Sequence, residues 1–237
     1  MDDERVELSG FHAVKHAMRF GAEALEVWTD DRDRAMGLCE RLAPDLVDRL
    51  DALLVEVSTD DLRSRSDYAH PTHVHGRARR PQVDLHAASG RSPVVHLHAP
   101  VDPGNVGAVI RVGAAVGVDA VTVDRFDQLW SPACVRGSAG LHFAVPVAGC
   151  DLATIRPARP VVAFDPDGAP FEPASIDPAS VLVFGSERTG IPGDLLEAAD
   201  AIVALPMAEG VSSLNLATSV AAATYAIELV DRHRDRC

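Results

Sequence analysis

From residue 94 onward, short valine-rich runs alternate with longer stretches in which small and apolar residues recur at helical spacing. "VVHLHA", "AVTVD", "VVAFD", "VLVFG" and "AIVAL" read as strands, with another expected around "FAVPV". Runs this short and this uniformly apolar suit strands buried on both faces. Between them "NVGAVIRVGAAVG" and "PACVRGSAG" read as helices, and a long helix closes the chain. Strand and helix in alternation predict a largely parallel sheet covered on both sides.

The first 60 residues also alternate, over shorter spans. In "SGFHAVKHAMRFG", Phe11, Val14 and Met18 share a helical face, Ser9 is placed to cap, and Gly21 to end the helix. "ALEVW", a helical "RDRAMGLCERL" and the apolar "ALLVEV" follow, which makes a small α/β unit. The segment "YAHPTHVHGRARRPQVDLHAASGRSP" breaks the periodicity with prolines, glycines and charges, and a domain boundary is expected in it near residue 90. The division is then 1–90 for an α/β domain with a basic linker and 91–237 for the larger domain.

A length of 237 residues with 47% hydrophobic and 24% charged residues fits a soluble globular protein. No apolar run reaches the ~18 residues that span a bilayer, and "MDDERVELSG" is acidic where a secretory signal is basic, so a cytoplasmic protein without a membrane partner is expected. Cys39, Cys134, Cys150 and Cys237 form no C-x-x-C pair, which points to reduced structural thiols. The net charge of −13 argues against indiscriminate binding to nucleic acid. Between Leu62 and Ser92, however, Arg63, Arg65, Arg77, Arg79, Arg80 and Arg91 face only Asp67 and Asp84, a candidate strip for a polyanion.

Three clusters carry candidate chemistry. On "DPGNVGAVIRVGAAVG", after the turn, the polar exceptions are Asn105 at the helix start, an N-cap by position, and Arg111 between Ile110 and Val112. A guanidinium there needs an anion, a subunit surface or a wet helix face. "VLVFGSERTGIP" ends a buried strand at Phe184 and Gly185 and offers a loop with Ser186, Glu187 and Thr189; Ser186 and Glu187 also suit a helix start. In "ALPMAEGVSSLNLATSV", Leu205, Met207 and Leu214 can wall a slot for a planar base, while Asn215 must satisfy its amide through a cap, a buried loop or a substrate.

Other chemistries find less support. The turn Gly104-Asn105-Val106-Gly107 lacks the G-x-G-x-x-G dinucleotide fingerprint, although the strand, turn, helix and Asp124 imitate that layout. His73 with His75, and His96 with His98, stand two apart without a third metal ligand at suitable spacing, and no metal is expected. No Walker loop or Ser-His-Asp nucleophile motif is present.

The ordered set "NVGAVIR", "VLVFGSERTGIP" and "ALPMAEGVSSLNLATSVAAA", within about Val94 to Asp231, resembles the SpoU-TrmH branch of the SPOUT RNA methyltransferases. That resemblance implies an α/β catalytic domain with a parallel sheet and a deep trefoil knot, preceded by a small ribosomal-protein-like α/β domain that binds substrate. It implies a homodimer with the active site at or near the subunit interface, S-adenosyl-L-methionine as cofactor, and methylation of a ribose 2′-hydroxyl in tRNA or rRNA. By position, Phe184, Gly185, Leu205, Met207 and Leu214 fall on the cofactor pocket, and Asn105, Arg111, Glu187, Ser213 and Asn215 on catalytic or substrate-facing positions. Arg77, Arg79 and Arg80 are the residues expected to dock RNA. Two competing readings are a non-catalytic RNA-binding protein of the same fold and a nucleotide-binding open-sheet enzyme.

Overall fold

The computed structural model describes residues 4–65, 70–85, 90–155 and 159–234, so that Asp67, His86 and Cys237 lie outside the described residues. In chain order the elements are β1 (Arg5–Ser9), α1 (Phe11–Arg19), β2 (Glu26–Thr29), α2 (Arg32–Leu42), α3 (Val47–Leu53), β3 (Leu54–Glu56), α4 (Thr59–Ser64) and β4 (Val74–Arg79). There follow β5 (Val94–His98), α5 (Pro103–Val116), β6 (Ala120–Asp124), α6 (Pro132–Gly137), β7 (Val147–Gly149), α7 (Leu152–Ile155) and β8 (Val161–Pro170). The chain closes with β9 (Val181–Phe184), α8 (Gly193–Glu197), β10 (Ala201–Ala204) and α9 (Leu216–Arg234). They form two compact units, Met1–Gln82 with Trp130–Ala144, and Val83–Leu129 with Val145–Cys237.

The first unit is a four-stranded sheet in the order β1-β4-β2-β3, with β4 antiparallel to both neighbours and β2 parallel to β3. Val6, Leu8, Val27, Leu54 and Ala78 share its inner face with Phe11, Val14 and Met18 of α1. The central strand β4 lies within the segment that reads as a linker. Its sequence "VHGRAR" alternates small inward residues with outward His and Arg, and Gly76 is required because a Cβ there would sit 2.9 Å from the Glu26 carbonyl oxygen. Ser9 does not cap α1. It is buried in β1, and the Phe11 amide is satisfied instead by Thr72 Oγ1 at 3.0 Å, while Gly21 at φ +77° does end the helix. Chain continuity assigns Trp130–Ala144 to the second domain, but its packing assigns it to the first: Val135 joins the first unit's core, with Trp130 and Phe143 against it.

The second unit is a fully parallel six-stranded sheet in the order β10-β8-β9-β5-β6-β7. Its central runs, Val94–His98, Ala120–Asp124 and Val181–Phe184, are buried throughout, as their uniform valine content anticipates. Strand β8 pairs with β10 in two pieces, Val162 and Ala163 and then Ala169 and Pro170, so that residues 164–168 are left over as an excursion between them. Gly168 is required on its return, since a Cβ would lie 2.7 Å from the backbone of Val203. Beneath the sheet, at the amino ends of its strands, the Arg159 guanidinium pairs with Asp119 and donates to the carbonyls of Ser92 at 2.7 Å and Ala179 at 3.1 Å. Both charged groups are under 10% exposed. Arg159→Ala removes the counter-charge of a buried carboxylate, which keeps only neutral donors such as the Gly90 amide at 2.8 Å, and takes a donor from two carbonyls, and is expected to cost about 3–5 kcal/mol in urea unfolding. The same loss should shrink when Asp119 is replaced by an apolar residue as well.

Candidate active site

At the carboxyl ends of β8, β9 and β10 the second unit opens a cavity of about 520 Å³. This is where ligands collect in open parallel sheets, because strands that point the same way end together and their loops diverge. Phe184 and Gly185 enter it from β9, Leu205 and Met207 from the end of β10, and Ser213, Leu214 and Asn215 from the loop before α9. Asn105 and Glu187 line it as well. Nine of the ten residues singled out in the sequence for cofactor and catalysis therefore converge on one cavity. The tenth, Arg111, is exposed on α5, outside that lining, and has no hydrogen bond or ion pair among the described residues.

The polar side of the cavity is a string of directed hydrogen bonds. Asn215 Oδ1 accepts from the amides of Ala217 at 3.0 Å and Thr218 at 3.3 Å, which caps α9. Its Nδ2 donates to Asn105 Oδ1 at 2.9 Å, and Asn105 Nδ2 donates to Glu187 Oε1 at 2.9 Å. Glu187 Oε2 accepts from the Val101 amide at 3.0 Å. Backbone N–H groups at one end can only donate and a carboxylate at the other can only accept, so both asparagine amides have a single permitted orientation. Burial alone would raise the Glu187 carboxyl, but hydrogen bonds from Asn105 and from backbone amides more than offset it and hold it below its ordinary value. Glu187 is thus ionised near neutrality, and the string loses its anchor as pH falls through the depressed value.

Asn105 is not an N-cap. Asp102 caps α5 by accepting from the Asn105 amide at 2.8 Å, with Pro103 at the first helical position, and this frees the Asn105 side chain for the site. Ser186 and Glu187 do not start a helix either. Residues 186–190 form a tight turn in which Ser186 and Gly190 exchange backbone hydrogen bonds, and α8 begins only at Gly193. The cavity also has walls that the sequence reading did not include: Phe164, Asp165 and Pro166, presented by the excursion in β8, and Arg188. The Phe164 ring stacks on Phe184 with centroids 4.7 Å apart and planes 9° from parallel. The turn signature in "FDPDG" was the available signal.

The model of the SpoU rRNA Methylase family matches residues 92–225, more than half of the chain and all of the loops that form the cavity. The chain belongs to this family. Among curated proteins it is 26% identical over 225 residues to the 23S rRNA (guanosine(2553)-2′-O)-methyltransferase RlmP of Bacillus subtilis, covering 92% of this chain and 86% of that protein. To the 23S rRNA (guanosine-2′-O-)-methyltransferase RlmB of a Burkholderia species it is 29% identical over 254 residues, covering 97% of each. Among solved structures, the SpoU methyltransferase AviRb from Streptomyces viridochromogenes superposes with a TM-score of 0.77 at 23% identity, covering 98% of this chain and 91% of that one. The α/β architecture with a parallel sheet is thus the SPOUT methyltransferase architecture.

The residues expected to dock RNA belong to the first unit. Arg77 and Arg79 project from the outward face of β4, where Arg77 pairs with Glu7 at 3.6 Å and Arg79 with Glu23 at 3.3 Å. The Arg65 and Arg77 guanidinium groups both lie over the Trp28 ring, and Arg80 lies over Trp130. His73 bonds Asp30, and His96 and His98 are buried in hydrogen bonds on β5; no cluster suited to a metal ion occurs among the described residues. Burial raises the thiols of Cys39, Cys150 and Cys134, the last to about 12, so these are inert structural cysteines.

Proposed function

We propose that this chain transfers a methyl group from S-adenosyl-L-methionine to a ribose 2′-hydroxyl in ribosomal or transfer RNA, as a cytoplasmic homodimer. The observation that carries this reading is the Asn215-Asn105-Glu187 string at the edge of a nucleoside-sized cavity, in three loops that the family model spans. Relatives named as 23S rRNA 2′-O-methyltransferases favour ribosomal RNA. Residues 91–237 are taken to form the SPOUT trefoil knot. The insertion of β9 between β8 and β5, and the return of α9 onto α5, suit that topology. Residues 1–90 are taken as the ribosomal-protein-like substrate domain, in which docking RNA at Arg77, Arg79 and Arg80 would exchange the carboxylate partners of Arg77 and Arg79 for phosphates.

The cavity fits the cofactor: Leu205, Met207 and Leu214 offer apolar walls, Gly185 lets the chain approach closely, and the volume lies in the range of small-ligand sites. When bound, S-adenosylmethionine supplies an electrophilic methyl group on a sulfonium. Held by these residues, it would supply that methyl group to the ribose oxygen, its sulfur leaving with the carbon–sulfur electron pair as the hydroxyl proton passes to solvent. Ser213 and Asn215 orient the hydroxyl; Glu187, with both oxygens engaged, anchors Asn105 and is not the base. The Arg111 guanidinium steadies the developing oxyanion and the neighbouring phosphate, supplied from the partner subunit. The exposed Arg111 and Ala115 on α5 and the exposed Tyr225 and Leu229 on α9, two helices that pack together, support a subunit interface there.

Calorimetry and methyl transfer test this reading together. S-adenosylmethionine should bind and NAD should not, and labelled methyl groups should enter rRNA or tRNA at positions that then resist alkaline cleavage. NAD binding would favour the open-sheet nucleotide enzyme. RNA affinity without cofactor binding would favour the non-catalytic protein.

A further inference from the structure

Strand β5 ends at His98, and the chain reaches α5 through Ala99, Pro100, Val101 and Asp102. Ala99 has φ +46°, in the left-handed region that residues with a Cβ avoid, and it precedes a proline, which ordinarily drives its neighbour into extended backbone. Something outside the loop must therefore hold this turn. The holder is Asp124, the last residue of the adjacent strand β6. Its Oδ1 accepts from the Ala99 amide at 2.9 Å, and its Oδ2 accepts from His98 Nδ1 at 2.8 Å.

The bracket is closed off from water: Asp124 and His98 are each less than a tenth exposed. His96, fully buried on the same face of β5, puts Nδ1 2.9 Å from Thr122 Oγ1 and Nε2 3.9 Å from Asp124 Oδ2. Burial pushes His96 down to about 4, so it remains neutral beside the carboxylate, and it shares a hydrogen bond through Nδ1 with Thr122, whose Oγ1 also donates to the Val95 carbonyl at 3.4 Å. With His98 on one oxygen, the other is aimed at the Ala99 amide.

The consequence lies further along the loop. Two residues after Ala99, the Val101 amide donates to Glu187 Oε2, and Asp102 then caps α5 through the Asn105 amide. Three carboxylates in succession, those of Asp124, Glu187 and Asp102, thus fix the path that delivers Asn105 to its place between Glu187 and Asn215. We propose that Asp124 is a positioning residue for methyl transfer, which holds Ala99 in its left-handed turn and thereby sets Asn105, with His98 fixing the direction of the carboxylate. This rests on the methyltransferase reading above.

The test uses the full chain and separates turnover from binding. Asp124→Ala is expected to lower kcat about 10- to 100-fold, the scale set by ångström misplacement of a site residue. The KM for RNA and the Kd for S-adenosylmethionine should stay within about threefold, because the apolar walls of the cavity, Phe184, Leu205, Met207 and Leu214, come from other loops. Asp124→Asn, which keeps an acceptor for the Ala99 amide, should lose less. The decisive variant is Asp124→Ala with Ala99→Gly: glycine adopts φ +46° unaided, so kcat should recover to within about threefold of wild type. Asp124→Leu, alone and with Ala99→Gly, repeats the comparison with the space filled, should the alanine variant fail to fold. A folded Asp124 variant with wild-type kcat, or a loss that Ala99→Gly does not reverse, overturns the proposal. A wild-type protein that neither binds S-adenosylmethionine nor transfers methyl groups would instead overturn the reading on which it rests.

Discussion

Arg111→Ala is expected to slow methyl transfer about 10²- to 10³-fold while S-adenosylmethionine binds within about twofold of wild type. The side chain lies outside the cavity lining of its own chain and has no counter-charge among the described residues, so its removal disturbs neither the pocket nor the fold. What it removes is the one cation assigned to the moment when negative charge grows on the ribose oxygen. Arg111→Lys should fall between, since an ammonium keeps the charge but lacks the planar fork that grips phosphate. Mixed dimers decide which subunit is served. An Arg111→Ala chain keeps a sound cofactor pocket, and a partner defective only in that pocket keeps a sound Arg111. If the arginine acts across the interface, random mixing of the two inactive chains should restore about a quarter of wild-type activity per site. No recovery would assign Arg111 to its own protomer.

The parts of this molecule that were legible in its sequence are those whose physics is local. Strands β5, β6 and β9 declare themselves because strands buried on both faces are rich in Val and Leu, the half-buried edge strand β10 does so through its apolar run, and α5 because its apolar residues recur at helical spacing up to Gly117, which ends it at φ +86°. Strand β4 stayed hidden because its inward positions are Val74, Gly76 and Ala78 and its outward ones His75, Arg77 and Arg79, a pattern that reads as a basic loop until the neighbours demanding small residues are known. Asn105 illustrates the other limit. The Asp-Pro pair already marks Asp102 as the cap, but what the freed amide then does depends on Glu187 and Asn215, 82 and 110 residues away. No periodicity encodes a contact at that separation. The ordered motifs did, because the three loops they name are the three that the sheet brings together. The excursion in β8 was missed for a related reason: its turn signal is visible, but its place beside Phe184 follows only from the split pairing with β10.

Gly185→Ala should abolish cofactor binding without unfolding the chain. Gly185 leaves β9 against the backbone of the turn that follows, and a Cβ on it would collide with Gly190 and with the Ile191 nitrogen. Neither can retreat easily. Ser186 and Gly190 are tied by hydrogen bonds of 3.2 and 2.9 Å, Gly190 is already at φ +67°, and the Ile191 side chain is buried in the core beneath α8. The added methyl group must spread the turn, moving Glu187 and Ile191, both of which line the cavity. The expected loss is at least about 100-fold in S-adenosylmethionine affinity, some 2.7 kcal/mol. Gly193→Ala is the matched control, because a Cβ there meets nothing within 4 Å and the residue opens α8. It should bind cofactor like wild type and keep or slightly raise the Tm. Titration calorimetry on both variants, with circular dichroism to verify folding, checks the contrast. Wild-type affinity in a folded Gly185→Ala protein would mean that the pinch between Gly185 and Gly190 does not shape the pocket, and that the cofactor lies further toward Leu205 and Leu214.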